Sequence, residues 1–281
     1  MKIGYFPGCS LKGTSKEFDL SVWRVLEALD VQLEDVNNWN CCGATSAHAT
    51  SHILSLALPV RNLLLAKAQG FEEIVSPCAA CYSRLINAQH EMSINAATRK
   101  KVEFVLEKEY SNGTVINNII QIFYKIGLDK IKSRVTKKIE DARVACYYGC
   151  LLVRPNNITH FDDPEQPTTM ETIVDALGIP TVDWQYKVEC CGAAHSIAHT
   201  SIVEKLSKTI IDNAQENGAN IIVVACPMCH SNLDMRQTGM KKHFPNHEPI
   251  PVLFLSELIG LAIGIAPKGD LDCILLKLMR Y

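Results

Sequence analysis

No stretch of this sequence reads as a helix able to cross a bilayer. The longest apolar run, Val252 to Ala266, has 15 residues and carries Ser256 and Glu257. A span needs roughly 20 residues, so a single buried helix is expected there. Neither sign of charge dominates: 28 Lys and Arg against 30 Asp and Glu leave a formal charge of −2. That balance gives no field for nucleic acid or an anionic membrane surface. No Gly-x-Gly-x-x-Gly fingerprint occurs, so neither flavin nor NAD is expected in this chain. No closely spaced ferredoxin-type cysteine run occurs either. The opening residues, MKIGYF, read as an immediate strand without the apolar core of a signal peptide.

What the chain does have is cysteine, twelve in 281 residues. A secreted disulfide scaffold would be short and poor in core, yet 47% of this sequence is apolar. A reducing cytoplasm with metal-bound thiolates is the expectation. Ten of the twelve fall into two copies of one pattern. Cys9 is followed after 31 residues by Cys41-Cys42, after 35 more by Cys78, and then by Cys81. Cys150 is followed after 39 residues by Cys190-Cys191, after 34 more by Cys226, and then by Cys229. Each pair precedes a glycine, Gly43 or Gly192. Thiolates are soft ligands suited to iron–sulfur groups or zinc. A tetrahedral zinc site or a cubane uses four, and each half offers five.

The repeat extends beyond the cysteines. IGYFPGC at 3–9 matches VACYYGC at 144–150, CCGATSAH at 41–48 matches CCGAAHSI at 190–197, and EEIVSPCAACYSRL at 72–85 matches NIIVVACPMCHSNL at 220–233. Val115 and Val252 open similar apolar tails. A duplicated domain with a seam near residue 140 follows, 1–140 and 141–281. Each half alternates strand and helix. Strands are expected at 2–6, 31–36 and 73–76, and again at 143–148, 181–184 and 221–225. Helices are expected at 18–29, 51–69, 170–177 and 201–217, with Pro59 kinking or dividing the second of these. Gly70 and Gly218 sit where helix C-caps sit. Alternation implies parallel βαβ units, hence two small Rossmann-like α/β domains about a pseudo-twofold axis. Cys9, Cys78, Cys150 and Cys226 then each follow a strand and precede a helix, at the carboxyl edge where open α/β sheets bind ligands. Pro77 and Pro227 suit helix starts.

The doubled five-cysteine spacing resembles the cysteine-rich CCG domain. Two copies in one short chain resemble the catalytic B subunits of methanogen heterodisulfide reductases. The 34-residue gap before Cys226 is a residue shorter than that family's usual spacing, a change that a loop absorbs. The resemblance implies that Cys9, Cys41, Cys42, Cys78 and Cys81 hold one noncubane 4Fe–4S cluster, and Cys150, Cys190, Cys191, Cys226 and Cys229 another. It implies reduction of the coenzyme M–coenzyme B heterodisulfide in archaeal methanogenesis, each cluster supplying one electron and taking one product sulfur. It implies partners too: a ferredoxin-like 4Fe–4S protein, a flavoprotein that feeds it, and a hydrogenase or formate dehydrogenase. Similar domains occur in thiol:fumarate, succinate:quinone and glycolate or lactate enzymes, so an electron-relay or assembly role is the alternative, and a structural zinc module a third.

His48 and His195 follow the two CCG pairs and are candidate proton donors, with His52 and His199 one helical turn beyond each. The implied substrate is anionic, which makes Lys12, Arg84 and Arg154, close after cysteines in sequence, candidates for binding it. Cys146 and Cys273 fall outside the repeat and are expected to be buried small apolar residues.

Overall fold

The computed structural model describes residues 2–44, 46–111 and 113–265; Cys273 lies outside them. The first half runs β1 (Lys2–Tyr5), α1 (Gly8–Lys12), α2 (Lys16–Ala28), β2 (Gln32–Asp35), α3 (Ser46–Thr50), α4 (His52–Ala68), β3 (Glu73–Ser76), α5 (Ala79–Ile94), α6 (Ala96–Leu106), β4 (Val115–Asn118), α7 (Ile119–Ile126) and α8 (Leu128–Ser133). The second runs β5 (Val144–Tyr147), α9 (Asn156–Thr159), α10 (Thr169–Ala176), α11 (Thr200–Glu216), β6 (Ile221–Val224), α12 (Pro227–His230), α13 (Gln237–His243), β7 (Val252–Phe254) and α14 (Leu255–Ala262). Two short turns interrupt the second half, a 3₁₀ turn at Ala193–His195 and a π turn at Ser231–Met235.

Every strand pairing is parallel, in one sheet ordered β2-β1-β3-β4 and another ordered β5-β6-β7. The strands are short, and all but β2 are mostly buried. All four residues of β6 are buried, as parallel strands covered by helices require. Crossover helices turn every carboxyl end to one edge.

The expected strand at 181–184 shrinks to one bridge, Val144 to Thr181. In the first half the Val36 amide donates to the Tyr5 carbonyl. At the equivalent place the Trp184 side chain turns inward, 1% exposed, and its Nε1–H donates to the Cys146 carbonyl at 3.2 Å. The indole replaces a ladder amide, and no strand need form. Pro59 does not divide its helix either, since α4 runs unbroken through it. The break falls at Ser51, whose hydroxyl caps the Leu54 amide. The apolar run at 252–266 is not one helix. It begins as the buried strand β7 and becomes α14 at Leu255. Val115 opens the same strand-then-helix pair in the first half.

The halves share one apolar core. Helix α2 packs on α14, and α10, its counterpart, packs on α7 and α8. Phe18 stacks on Phe254 at 3.9 Å, and the Ser21 and Ser256 hydroxyls lie 2.7 Å apart across the same contact. This exchange of equivalent helices is what a pseudo-twofold axis produces.

Candidate metal centre and substrate cleft

The carboxyl edge of each sheet carries its five cysteines. Cys9 sits in the first turn of α1, and Cys78 and Cys226 cap α5 and α12. Cys150 departs from expectation: turn residues follow it, not a helix. Pro227 occupies the first turn of α12, whereas Pro77 stands one residue before the Cys78 cap. The unpaired amides at these helix starts favour anionic sulfur.

Local geometry brings the sulfurs together. Gly43 and Gly192 have φ of +75° and +80°, the left-handed turn that an L side chain resists, and this turn folds the CC pairs back. The amides of Gly43 and Gly192 then point at Cys41 and Cys190 sulfur, 3.5 and 3.3 Å away. Cys81 Sγ lies 3.2 Å from Cys42 Sγ, and Cys191 Sγ lies 3.6 Å from Cys229 Sγ. Gly8 and Gly149 let the turns before Cys9 and Cys150 close on the same sulfurs. A Cβ at Gly8 would sit 2.6 Å from Cys81 Sγ, and one at Gly149 would sit 3.1 Å from Cys229 Sγ.

Cys9 lies within interaction range of Cys41, and Cys150 of Cys190. The same holds for Cys81 and Cys78, Cys78 and Cys226, and Cys226 and Cys229. The two quintets therefore approach each other at Cys78 and Cys226, and the row of neighbouring sulfurs runs 42–81–78–226–229–191. The bond from Cys81 holds Cys42 down at about 7, with Arg84 helping. The neighbouring Cys150 holds Cys190 at about 5, helped by the Gly192 and Ala193 amides and by His195. Cys226 is lowered by the neighbouring Cys229 and Cys78, while Cys81 and Cys229 are pushed up by their neighbouring sulfurs and by burial.

Among the described residues no three His, Cys, Asp or Glu side chains surround the place of a single ion. A string of five soft donors per half, three of them buried, instead suits a polynuclear metal–sulfide group with several attachment points.

A cleft of about 360 Å³ has walls from both halves; no cysteine among the described residues lines it, and Arg84, three residues after Cys81, does. The first half supplies His48, Arg84 and His90 from α3 and α5; the second supplies Leu151, Arg154 and Ile158. Arg84 and Arg154 both line this cleft. Arg84 donates from Nη1 to His48 Nδ1 at 3.0 Å. Arginine has no acceptor, so His48 carries its hydrogen on Nε2. Arg154 also pairs with exposed Glu165. His52 lines the cleft; His195 lies outside this lining, by Cys190, its ring edge-on to His199 at 5.6 Å.

Lys12 is not in the cleft lining. It pairs with Asp19 at 2.8 Å, which also accepts the Tyr5 hydroxyl at 2.6 Å. The second half builds the same triad from other positions: Lys187 pairs with Glu171 at 2.8 Å, and Glu171 accepts the Tyr148 hydroxyl at 2.5 Å. This one is buried, and the Lys187 carbonyl accepts the Tyr148 and Gly149 amides, fixing the turn before Cys150. Cys146 is fully buried on β5 and takes no part. Sequence reasoning missed Lys187, His90 and Asn232. For Asn232 the signal was there, because it aligns with Arg84 in the repeat.

The cysteine-rich domain family, CCG, matches residues 3–86 and 144–234. The chain belongs to this family. It is 30% identical over 270 residues to the 8-methylmenaquinol:fumarate reductase membrane anchor subunit of Wolinella succinogenes, covering 95% of this chain and 94% of that protein. It is also 30% identical over 276 residues to the B subunit of the ferredoxin/F420H2-dependent CoB-CoM heterodisulfide reductase of Methanosarcina acetivorans, covering 95% and 90%. Among solved structures, a hypothetical protein from Helicobacter pylori superposes with a TM-score of 0.74 at 12% identity. That match covers 96% of this chain and half of the other, and speaks for the fold alone. Within this CCG chain, no helix among the described residues is long and apolar enough to cross a membrane.

Proposed function

We propose that this CCG protein is the catalytic iron–sulfur component of a disulfide reductase, with the coenzyme M–coenzyme B heterodisulfide as substrate. The observation that carries the reading is the approach of the two quintets at Cys78 and Cys226, together with a cleft walled by both halves that Arg84, three residues after Cys81, lines. Reducing a disulfide takes two electrons and two protons and yields two thiols. Cys9, Cys41, Cys42, Cys78 and Cys81 would hold one 4Fe–4S group of the noncubane kind, and Cys150, Cys190, Cys191, Cys226 and Cys229 the other. When bound, such groups supply single electrons at low potential.

The chain's own residues do the rest. Arg84 and Arg154 bind the anionic arms and set the disulfide's orientation. Leu151, Pro155 and Ile158 give the cleft an apolar wall. His48, its neutral tautomer fixed by Arg84, presents Nε2–H as a hydrogen-bond donor to a departing sulfur, and solvent supplies the proton. His195 serves the second side. Lys12, held by Asp19, supports the turn after Cys9. Electrons come from outside this chain, from a ferredoxin-like 4Fe–4S partner fed by a flavoprotein and a hydrogenase or formate dehydrogenase. Cys190 is exposed, and Ile197, Ile202 and Met235 of the same half are exposed apolar side chains for that donor to cover. The setting is cytoplasmic.

Anaerobically reconstituted protein should hold about eight iron and eight sulfide per chain. Near-stoichiometric zinc with little sulfide would favour the structural zinc module. Reduced protein mixed with the heterodisulfide should release two thiols per disulfide consumed. The Wolinella relative, equally similar, favours a second reading as an electron relay. Loss of reducing equivalents to a quinone analogue, with no thiol release, would support that reading over ours.

A further inference from the structure

The two quintets are not equivalent, and one difference lies at an aligned position. Arg84 stands three residues after Cys81, and Asn232 three residues after Cys229. Arg84 points to the cleft and His48. Asn232 is completely buried and turns to the cysteines. Its Nδ2 donates to the Cys191 carbonyl at 3.1 Å and to Cys191 Sγ at 3.5 Å. Its Oδ1 accepts from Ser196 Oγ at 3.0 Å and Arg236 Nε at 3.1 Å. Arg236 also donates to the Ser196 carbonyl at 2.5 Å. Arg236 can only donate, so the atom facing it must be the amide oxygen, and the N–H₂ must face the sulfur. The backbone marks the same spot. Residues 231–235 form a π turn, whereas the first half continues as the regular helix α5. Such turns are rare and gather at functional sites.

We propose that Asn232 is a positioning residue for Cys191 that makes the second centre easier to reduce than it would be without the amide bond; the proposal rests on the quintets holding iron–sulfur groups. An N–H···S bond draws electron density from a ligand sulfur and stabilises the reduced state. In the first half no side-chain amide occupies that position, because Arg84 is engaged with the cleft. One duplicated site thereby becomes two sites with separate potentials.

The test uses the full chain, reconstituted anaerobically, with Asn232→Ala and Asn232→Asp. The aspartate keeps an acceptor for Ser196 and Arg236 and lacks the N–H. Iron and sulfide content is measured first, then both midpoints by redox titration followed by electron paramagnetic resonance. Both variants should keep wild-type iron and sulfide. One midpoint should fall until the reduced-to-oxidised ratio at a fixed poise drops about tenfold, about 59 mV for one electron, and the other should stay. Arg84→Asn should leave the affected midpoint alone. Unmoved midpoints, or both moving together, overturn the proposal. So does loss of half the iron in both variants, which would make Asn232 a requirement for assembly. Wild-type protein without iron and sulfide would instead sink the functional reading beneath it.

Discussion

At Gly8 the chain has no room for a single methyl group. A Cβ would meet Cys81 Sγ at 2.6 Å, with φ at +70° adding a left-handed penalty of about 1–2 kcal/mol. Gly8→Ala should therefore lower iron bound by the first quintet more than Gly149→Ala lowers that of the second, where the clearance is 3.1 Å. Iron and sulfide per chain measure both. His247 carries a different strain. It is 2% exposed, and neither ring nitrogen has a hydrogen-bond partner among the described residues. Burial, with Lys208 nearby, pushes its pKa below the ordinary value near 6.5. The unfolded chain then takes up a proton in a range where the folded chain does not. Stability from this residue is intact above about pH 6.5 and is lost as pH falls through that value toward the lower folded pKa. Urea unfolding at pH 7.5 and 5.5 should show the loss, and His247→Phe should reduce it. Both residues show a limit of sequence reading. Ten cysteines announce themselves by spacing, but a glycine's neighbour across the fold and a buried imidazole's lack of partners do not.

Elements were legible where local pattern decides them. The β-branched run at 221–224 and the segment at 73–76 are strands because they are buried on both faces and follow helix-ending glycines. The missing strand at 181–184 was not legible, because a side chain took over a backbone bond. Trp184→Phe tests that account. It should leave the buried Cys146 carbonyl without its indole donor, at about 1–3 kcal/mol, beyond what the small loss of ring volume explains. A denaturant midpoint would read this, with Trp39→Phe as control for generic loss of indole. The segment 252–266 defeats sequence reading for another reason. Apolar residues in both a buried strand and a buried helix give a continuous run, and periodicity cannot divide them. The matching tail at 115–126, where Asn118 caps α7 with Gln121, held the clue to the division.

For the molecule as a whole, duplication describes ancestry in the sequence but not independence in the packing. Helices α2 and α14 belong to opposite halves and bury each other, with Phe18 stacked on Phe254 and Phe254 stacked in turn on His230 at 4.3 Å. His230 follows Cys229 directly. The contact between halves is thus continuous with the second quintet, and it meets the first through Cys78 and Cys226. A repeat can state what each half contains, but the sequence cannot state which faces of the two meet. Phe254→Ala should cost about 3–5 kcal/mol, as large-to-small changes in a packed core do. If the halves cooperate, both centres should be lost together on heating this variant, and one unfolding transition should be seen. The proposed units 1–140 and 141–281, each expressed alone, should then bind little iron and unfold without cooperativity, and recover when co-expressed. Independent folding of either unit, with a full iron complement, would separate the two centres and remove the reason for a shared cleft between them.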